Sequence, residues 1–238
     1  MFSMPKLTLV VKNLLIINAL FFVSYMSFGR EMYDLLASHW IENPLFKPWQ
    51  LITHFFMHGD LGHIFKNMLM LFFIGTFLES MWGAKKFLQY YLFCGLVGYI
   101  IYMIIQYVLL QYHGQFLSDE VIALAVESKY IPGNIHSESY IRLFNTSLVG
   151  ASGAIFGIIT ALWMTVPNQE VYVMFIPIPV KIKYVSMFLL MYEIYNQMNQ
   201  SAGDNVSHLG HLSGMLAGFL LIKYWEKKGN SNNFQHFR

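Results

Sequence analysis

Charge is what this chain most lacks. Asp, Glu, Lys and Arg make up 12% of its 238 residues, about half the share found in an ordinary soluble domain. Cysteine occurs once, at Cys94 inside an apolar run. That excludes a disulfide framework and a cysteine-held metal cluster. Asp occurs only as Asp34, Asp60, Asp119 and Asp204, none in the middle of an apolar run. No His-Glu-x-x-His is present and no intramembrane carboxylate pair accompanies the histidines, which argues against zinc-dependent hydrolysis. The net charge of +2 gives no basic tail, so nucleic acid is not an expected partner. Internal repeats and charged midplane residues, the marks of a transporter, are missing too. The first apolar run lacks a small-residue cleavage signature and reads as a retained helix.

What is abundant is hydrophobic sequence, 56% of the chain, gathered into long runs. The fold class is therefore an all-α polytopic membrane protein. Six spans are expected, at about 12–28, 61–78, 87–111, 150–166, 184–195 and 206–225, in a single membrane domain over 1–238. Between the first two, residues 29–56 mix charges with Trp40 and Trp49. That blend suits short amphipathic segments at the interface. Residues 112–147 form the longest polar loop, and Asn196–Asn205 a short one. Asn18, the one amide in the core of the first span from Leu14 to Tyr25, is expected to bond between helices. Gly59-Asp60 breaks the second run, with Asp60 placed to cap the helix that follows. The fourth span, ending before Pro167, has ~17 residues and reaches ~25 Å, short of a ~30 Å hydrocarbon core. A residue at its start lies below the near surface.

Six spans put both termini on one side. Lys6, Lys12, Lys85, Lys86, Lys181, Lys183, Lys223, Lys227, Lys228 and Arg238 fall on that side. Arg30, Lys47, Lys129 and Arg142 fall on the other. Ten against four makes the termini cytoplasmic by the positive-inside rule. The openings of the second, fourth and sixth spans then face outward, and His63, Ser152 and His211 share one shallow level.

Ser152 sits in Gly150-Ala-Ser-Gly153 at the start of the fourth span. Gly153 and Gly157, four apart, can form a close helix-packing stripe, with Ser152 a small polar neighbour. Alternatively Ser152 is a nucleophile, which needs a base within hydrogen-bond reach. The sixth span offers His211, with Gly214 and Gly218 on the same face. Two glycine-lined helices can approach closely enough for the imidazole to reach the hydroxyl. His211 can also be read as an interhelical hydrogen bonder, and His208, three residues earlier, could exchange roles with it. No Asp or Glu stands out with triad geometry, and Asp204 is too far along the chain to assign. A Ser–His dyad is the simpler expectation. Acyl transfer further needs donors for an oxyanion. The first N–H groups of the fourth helix lack intrahelical partners. His63 and Asn67, on one face of the second, could add side-chain donors or bond between helices. Lys66 is expected to face away from Ser152.

In these motifs the chain resembles the rhomboid family of intramembrane serine proteases. The likeness runs from the first span to the last. It rests on His54-x3-His58-x4-His63-x3-Asn67, Gly75-x3-Glu79 with Trp82-Gly83, Gly150-Ala-Ser152-Gly153, and His211-x2-Gly214-x3-Gly218. The resemblance implies the bacterial six-helix type in the plasma (inner) membrane, opening toward the periplasmic or extracellular side. It implies Ser152 as nucleophile, His211 as base, His63, Asn67 and the Ser152 backbone N–H as the oxyanion hole, and His58 as a structural histidine. It also implies that residues 29–56 are the partly embedded first loop and Asn196–Asn205 a cap over the site. Single-span transmembrane proteins would be the substrates and lipid the surroundings, with no cofactor or metal and with the oligomeric state open. The alternative is an inactive member that binds transmembrane helices without cutting them. Many members carry Trp-Arg in the first loop, whereas here Trp49 precedes Gln50, which questions a loop-anchoring contact.

Overall fold

The computed structural model describes residues 6–127, 135–172, 178–199 and 206–228. It is a helical bundle built from α1 Leu9–Phe28, α2 Arg30–Leu36, α3 Gln50–Thr53, α4 Leu61–Met70, α5 Thr76–Trp82, α6 Ala84–Gly114, α7 Asp119–Val126, α8 Ile135–Asn145, α9 Ser152–Thr165, α10 Ile182–Met198 and α11 His208–Lys227. Between α4 and α5 the helix widens into a π-turn over Leu71–Gly75, so Leu61–Trp82 runs unbroken. A short antiparallel hairpin pairs β1 Glu170–Tyr172 with β2 Pro179–Lys181, where the sequence suggested only a Pro-rich turn.

Among the described residues, three helices are long and apolar enough to cross a membrane: Leu9–Phe28, Leu61–Trp82 and Ala84–Gly114. The expected fourth span is a shorter apolar helix, Ser152–Thr165. Length and composition therefore support a multi-pass, membrane-associated bundle rather than a count of six. Leu20, Val23 and Met26 on α1 and Phe188, Met191 and Tyr195 on α10 stay exposed, as lipid-facing residues would.

Helix ends explain how the bundle is tied. The Glu79 carboxylate is buried and accepts from Thr8 Oγ1 at 2.5 Å, Val10 N at 3.0 Å and Val11 N at 2.9 Å. A carboxylate on the open N–H groups at the start of α1 satisfies donors the helix cannot. It also joins the beginning of α1 to the end of α5. Asp60 caps α4 through the His63 backbone N–H at 2.8 Å, as its position predicted. Asn18 differs from expectation: its Nδ2 donates to Leu14 O of its own helix at 2.7 Å.

α9 is the centre. It is apolar on nearly every side and buried from Ala154 to Leu162, as an all-round hydrophobic helix must be. α11 and α6 pack against it. A Cβ added to Gly214 would strike the Gly153 carbonyl, and one on Gly218 would lie 3.1 Å from Gly157 Cα. On the other side, a Cβ on Gly98 of α6 would meet Gly214 Cα at 2.9 Å. Three helices thus touch through backbone, without intervening side chains.

The loop at 112–147 contains α7 and α8. α8 docks on the end of α6, where Gln106 Nε2 donates to Leu143 O at 2.6 Å and Phe144 packs with Trp40 and Leu110.

Candidate active site

Ser152 opens α9. The approach to it is held by the 29–56 segment: Ser38 and Leu148 exchange two backbone hydrogen bonds of 3.0 Å, and Gly150 N donates to His54 O at 2.9 Å. Gly150 has φ 115, a conformation that L side chains rarely adopt. The chain turns there directly into the first helical turn. The first backbone bond of that turn runs from Ile155 N to Ala151 O. The N–H groups of Ser152, Gly153 and Ala154 have no backbone acceptor among the described residues, as the physics of helix ends requires.

The segment that clamps Gly150 is itself tied down. Gln50, fully buried, donates from Nε2 to Leu45 O at 2.9 Å and Asp34 O at 3.0 Å, and its Oε1 accepts from Lys47 N at 3.1 Å. Trp49 Nε1 donates to Leu35 O at 2.9 Å. The anchoring contact that Trp-Gln rather than Trp-Arg put in question is made, by an amide. Burial pushes His54 down to about 3, and burial with the neighbouring His63 pushes His58 down to about 4. Both rings are neutral. His54 Nδ1 donates to Gln50 O at 2.6 Å.

From α4, His63 and Asn67 face the Gly150 backbone. A Cβ placed on Gly150 would lie 2.8 Å from His63 Nε2 and 3.4 Å from Asn67 Nδ2. Asn67 Nδ2 is buried without a hydrogen-bond partner among the described residues. A buried amide donor left open is uncommon, and this one lies beside the serine turn. His58 packs edge-on against His63, with ring centroids 4.9 Å apart. Lys66, between His63 and Asn67 in the sequence, is exposed.

From α11, His211 shares a cavity with Ser152. His54, Tyr99, Gly150 and Gly210 also line it. No side-chain hydrogen bond joins Ser152 to His211 among the described residues. The His211 ring stacks on Phe156, at 4.2 Å between centroids and 13° between planes. Its Nδ1 lies 2.9 Å from Oε2 of Glu193, on α10. His208 Nδ1 lies 2.6 Å from the same oxygen.

The model of the Rhomboid domain matches residues 45–226, most of the chain and every element of this cavity. The chain belongs to the rhomboid family. Its similarity extends to Rhomboid protease GluP of Bacillus subtilis, 25% identical over 196 residues, covering 82% of this chain and 28% of that protein. RHOMBOID-like protein 12, mitochondrial, of Arabidopsis thaliana is 29% identical over 209 residues, covering 86% and 55%. Rhomboid-like protease 3 of Toxoplasma gondii is 27% identical over 186 residues, covering 77% and 54%. The chain spans from about a quarter to about half the length of these curated relatives. Because they come from bacteria, plants and other eukaryotes, they show the family and not a bacterial six-helix subtype.

Within this rhomboid, sequence reasoning overlooked two groups. Phe156 lies four residues after Ser152 and so on the same helix face, a signal that was available. The sequence showed no acid with obvious triad geometry, yet Glu193 bonds both His211 and His208; its one mark was being the one acid in α10. Asp204 and residues 200–205 of the expected cap lie outside the described residues. Glu193, His208 and His211 place their ligand atoms within 4.8 Å of one another and could in principle hold a cation. The 2.6 and 2.9 Å separations are those of hydrogen bonds.

Proposed function

We propose that this rhomboid is an intramembrane serine endopeptidase of the bacterial six-helix type. Ser152 Oγ attacks the scissile carbonyl and His211 takes its proton. The oxyanion of the tetrahedral intermediate is met by the open Ser152 N–H and by His63 and Asn67. His211 returns its proton to the leaving amine. Water then repeats the sequence on the acyl-enzyme, so no cofactor or metal is needed. The observation that carries this reading is convergence: Ser152 and His211 line one cavity, while His63 and the unpartnered Asn67 amide close on Gly150 beside it.

The substrates are single-span transmembrane proteins, cut where their helix unwinds, because a helical peptide bond in lipid is shielded. The bundle crosses the plasma membrane six times, with both termini cytoplasmic and the cavity opening outward. Two observations support this alternation. Glu79 joins the start of α1 to the end of α5, and the Ser38–Leu148 bridge joins the connection that follows α1 and α2 to the one that enters α9.

The test is cleavage of a reporter transmembrane substrate by wild type, Ser152→Ala and His211→Ala protein in liposomes, with fluorophosphonate labelling alongside. Wild type should cut and take label at Ser152, and both variants should do neither. Continued cleavage by Ser152→Ala would sink the mechanism. A folded wild type that neither cuts nor labels would point to a helix-binding, inactive member.

A further inference from the structure

We infer that Glu193 is a positioning residue for His211, giving a Ser152–His211–Glu193 relay in which His208 holds the carboxylate from a second side. The inference rests on the proposed protease reading and adds a third member to its dyad.

Glu193 is 3% exposed, on a helix that carries no other acid. A buried carboxylate is costly unless hydrogen bonds replace its lost water. Here both come from imidazoles, His208 Nδ1 at 2.6 Å and His211 Nδ1 at 2.9 Å, and both reach the same oxygen, Oε2. An ionised carboxylate only accepts, so each Nδ1 carries its hydrogen. That settles the tautomer of His211: in the neutral ring, Nε2 is left with its lone pair. This is the nitrogen a general base must present to Ser152. Stacking on Phe156 fixes the ring plane, and the carboxylate fixes rotation within it. When Ser152 gives up its proton, the imidazolium forms 2.9 Å from a negative charge in a site shielded from water.

The groups facing His211 are few: Ser152 and Phe156 from α9, Glu193 from α10, His208 from its own helix and His63 from α4. Among the described residues that face it, Glu193 is the only anion, and it is the group bonded to Nδ1.

The test uses the full chain in liposomes. Glu193→Gln preserves shape but offers an NH2 that can donate to Nδ1 and favour the wrong tautomer. We expect kcat to fall about 10²- to 10⁴-fold, KM to stay within about threefold, and the acid limb of the kcat profile to move to lower pH. Glu193→Asp should recover part of the rate and of the profile. Labelling the imidazole nitrogens with 15N gives a readout independent of any variant: neutral His211 in wild type should carry its proton on Nδ1. Three results would overturn the inference. They are a Glu193→Gln protein with wild-type kcat and pH profile, a wild-type His211 protonated on Nε2, and activity abolished by a chelator and restored by a divalent metal. If Glu193→Gln fails to fold, the Glu193→Asp profile and the 15N signature decide. Each of these can fail while Ser152→Ala remains inactive, which would leave the protease reading standing. Cleavage by Ser152→Ala would remove both.

Discussion

Gly214 of α11 lies against Gly153 of α9 with no room between them for a methyl group. The contact sits one residue from Ser152 and three from His211, so the same glycines set the helix spacing and the distance from hydroxyl to imidazole. A Cβ at 214 meets the Gly153 carbonyl, which is backbone and cannot rotate away. Gly214→Ala should therefore push α11 off α9, with an overpacking cost of about 1–3 kcal/mol. A displacement near 1 Å is enough to reduce catalysis about 100-fold. Reporter cleavage and thermal unfolding in detergent measure the two effects. Gly59→Ala is the control, because nothing lies within 4 Å of a Cβ there, and it should match wild type in both.

Asn67 offers a different separation. Its Nδ2 is buried with no partner among the described residues, so removing it costs the resting protein no hydrogen bond to them from that atom. If it is a donor to the oxyanion, the loss is felt only when the oxyanion forms. Asn67→Ala should lower kcat about 10²- to 10³-fold, with KM and the unfolding temperature nearly unchanged. A rise in KM at constant kcat would instead make Asn67 a ground-state substrate contact.

Several of these relationships were visible in the sequence and others were not, for physical reasons. Gly153, Gly157, Gly214 and Gly218 were legible because helical periodicity puts residues three and four apart on one face. Their meeting required only that two such faces pair. Asp60 was legible as a cap because capping is local. Glu193 was not, because its partners come from another helix and nothing near it in the chain marks the contact. α7 and α8 were hidden for a related reason: the loop is polar, and the apolar face that docks α8, Tyr140, Leu143 and Phe144, is too short to stand out in it. Asn18 misled because an amide in an apolar helix can bond its own backbone four residues back as readily as a neighbouring helix.

Gln50 makes a stability prediction. Its amide satisfies the Leu45 and Asp34 carbonyls and the Lys47 N–H from one buried position. Gln50→Leu keeps roughly the volume and strands all three. Each stranded buried group costs about 1–3 kcal/mol, part of which water entering the loop recovers. Because the same segment carries His54, whose carbonyl holds Gly150 N, activity should fall with stability. Limited proteolysis within residues 37–49, followed alongside cleavage, would report both. A variant as resistant and as active as wild type would show that the loop is held elsewhere.

His54 links the stability of this segment to pH. Its ring is buried against Phe55 and Tyr99, with centroid distances of 4.3 Å to each. Burial holds it down at about 3 in the folded protein, against 6.5 for the free side chain. Because the folded value is the lower one, the unfolded chain binds the proton first as pH falls. Stability is therefore full above about pH 6.5 and lost progressively from there toward pH 3, by up to about tenfold in the unfolding equilibrium per pH unit. The loss stops only where the folded ring itself is protonated. His58, held down at about 4, adds a second contribution of the same sign over a narrower window. His54→Gln removes the first proton site, so its midpoint of thermal unfolding should fall less steeply between pH 6.5 and pH 4 than that of wild type. It should start lower at pH 7, because the packing on Tyr99 is lost. Parallel pH dependences for the two proteins would show that His54 is protonated at equal cost folded and unfolded, and that its burial does not govern the acid limit of the fold.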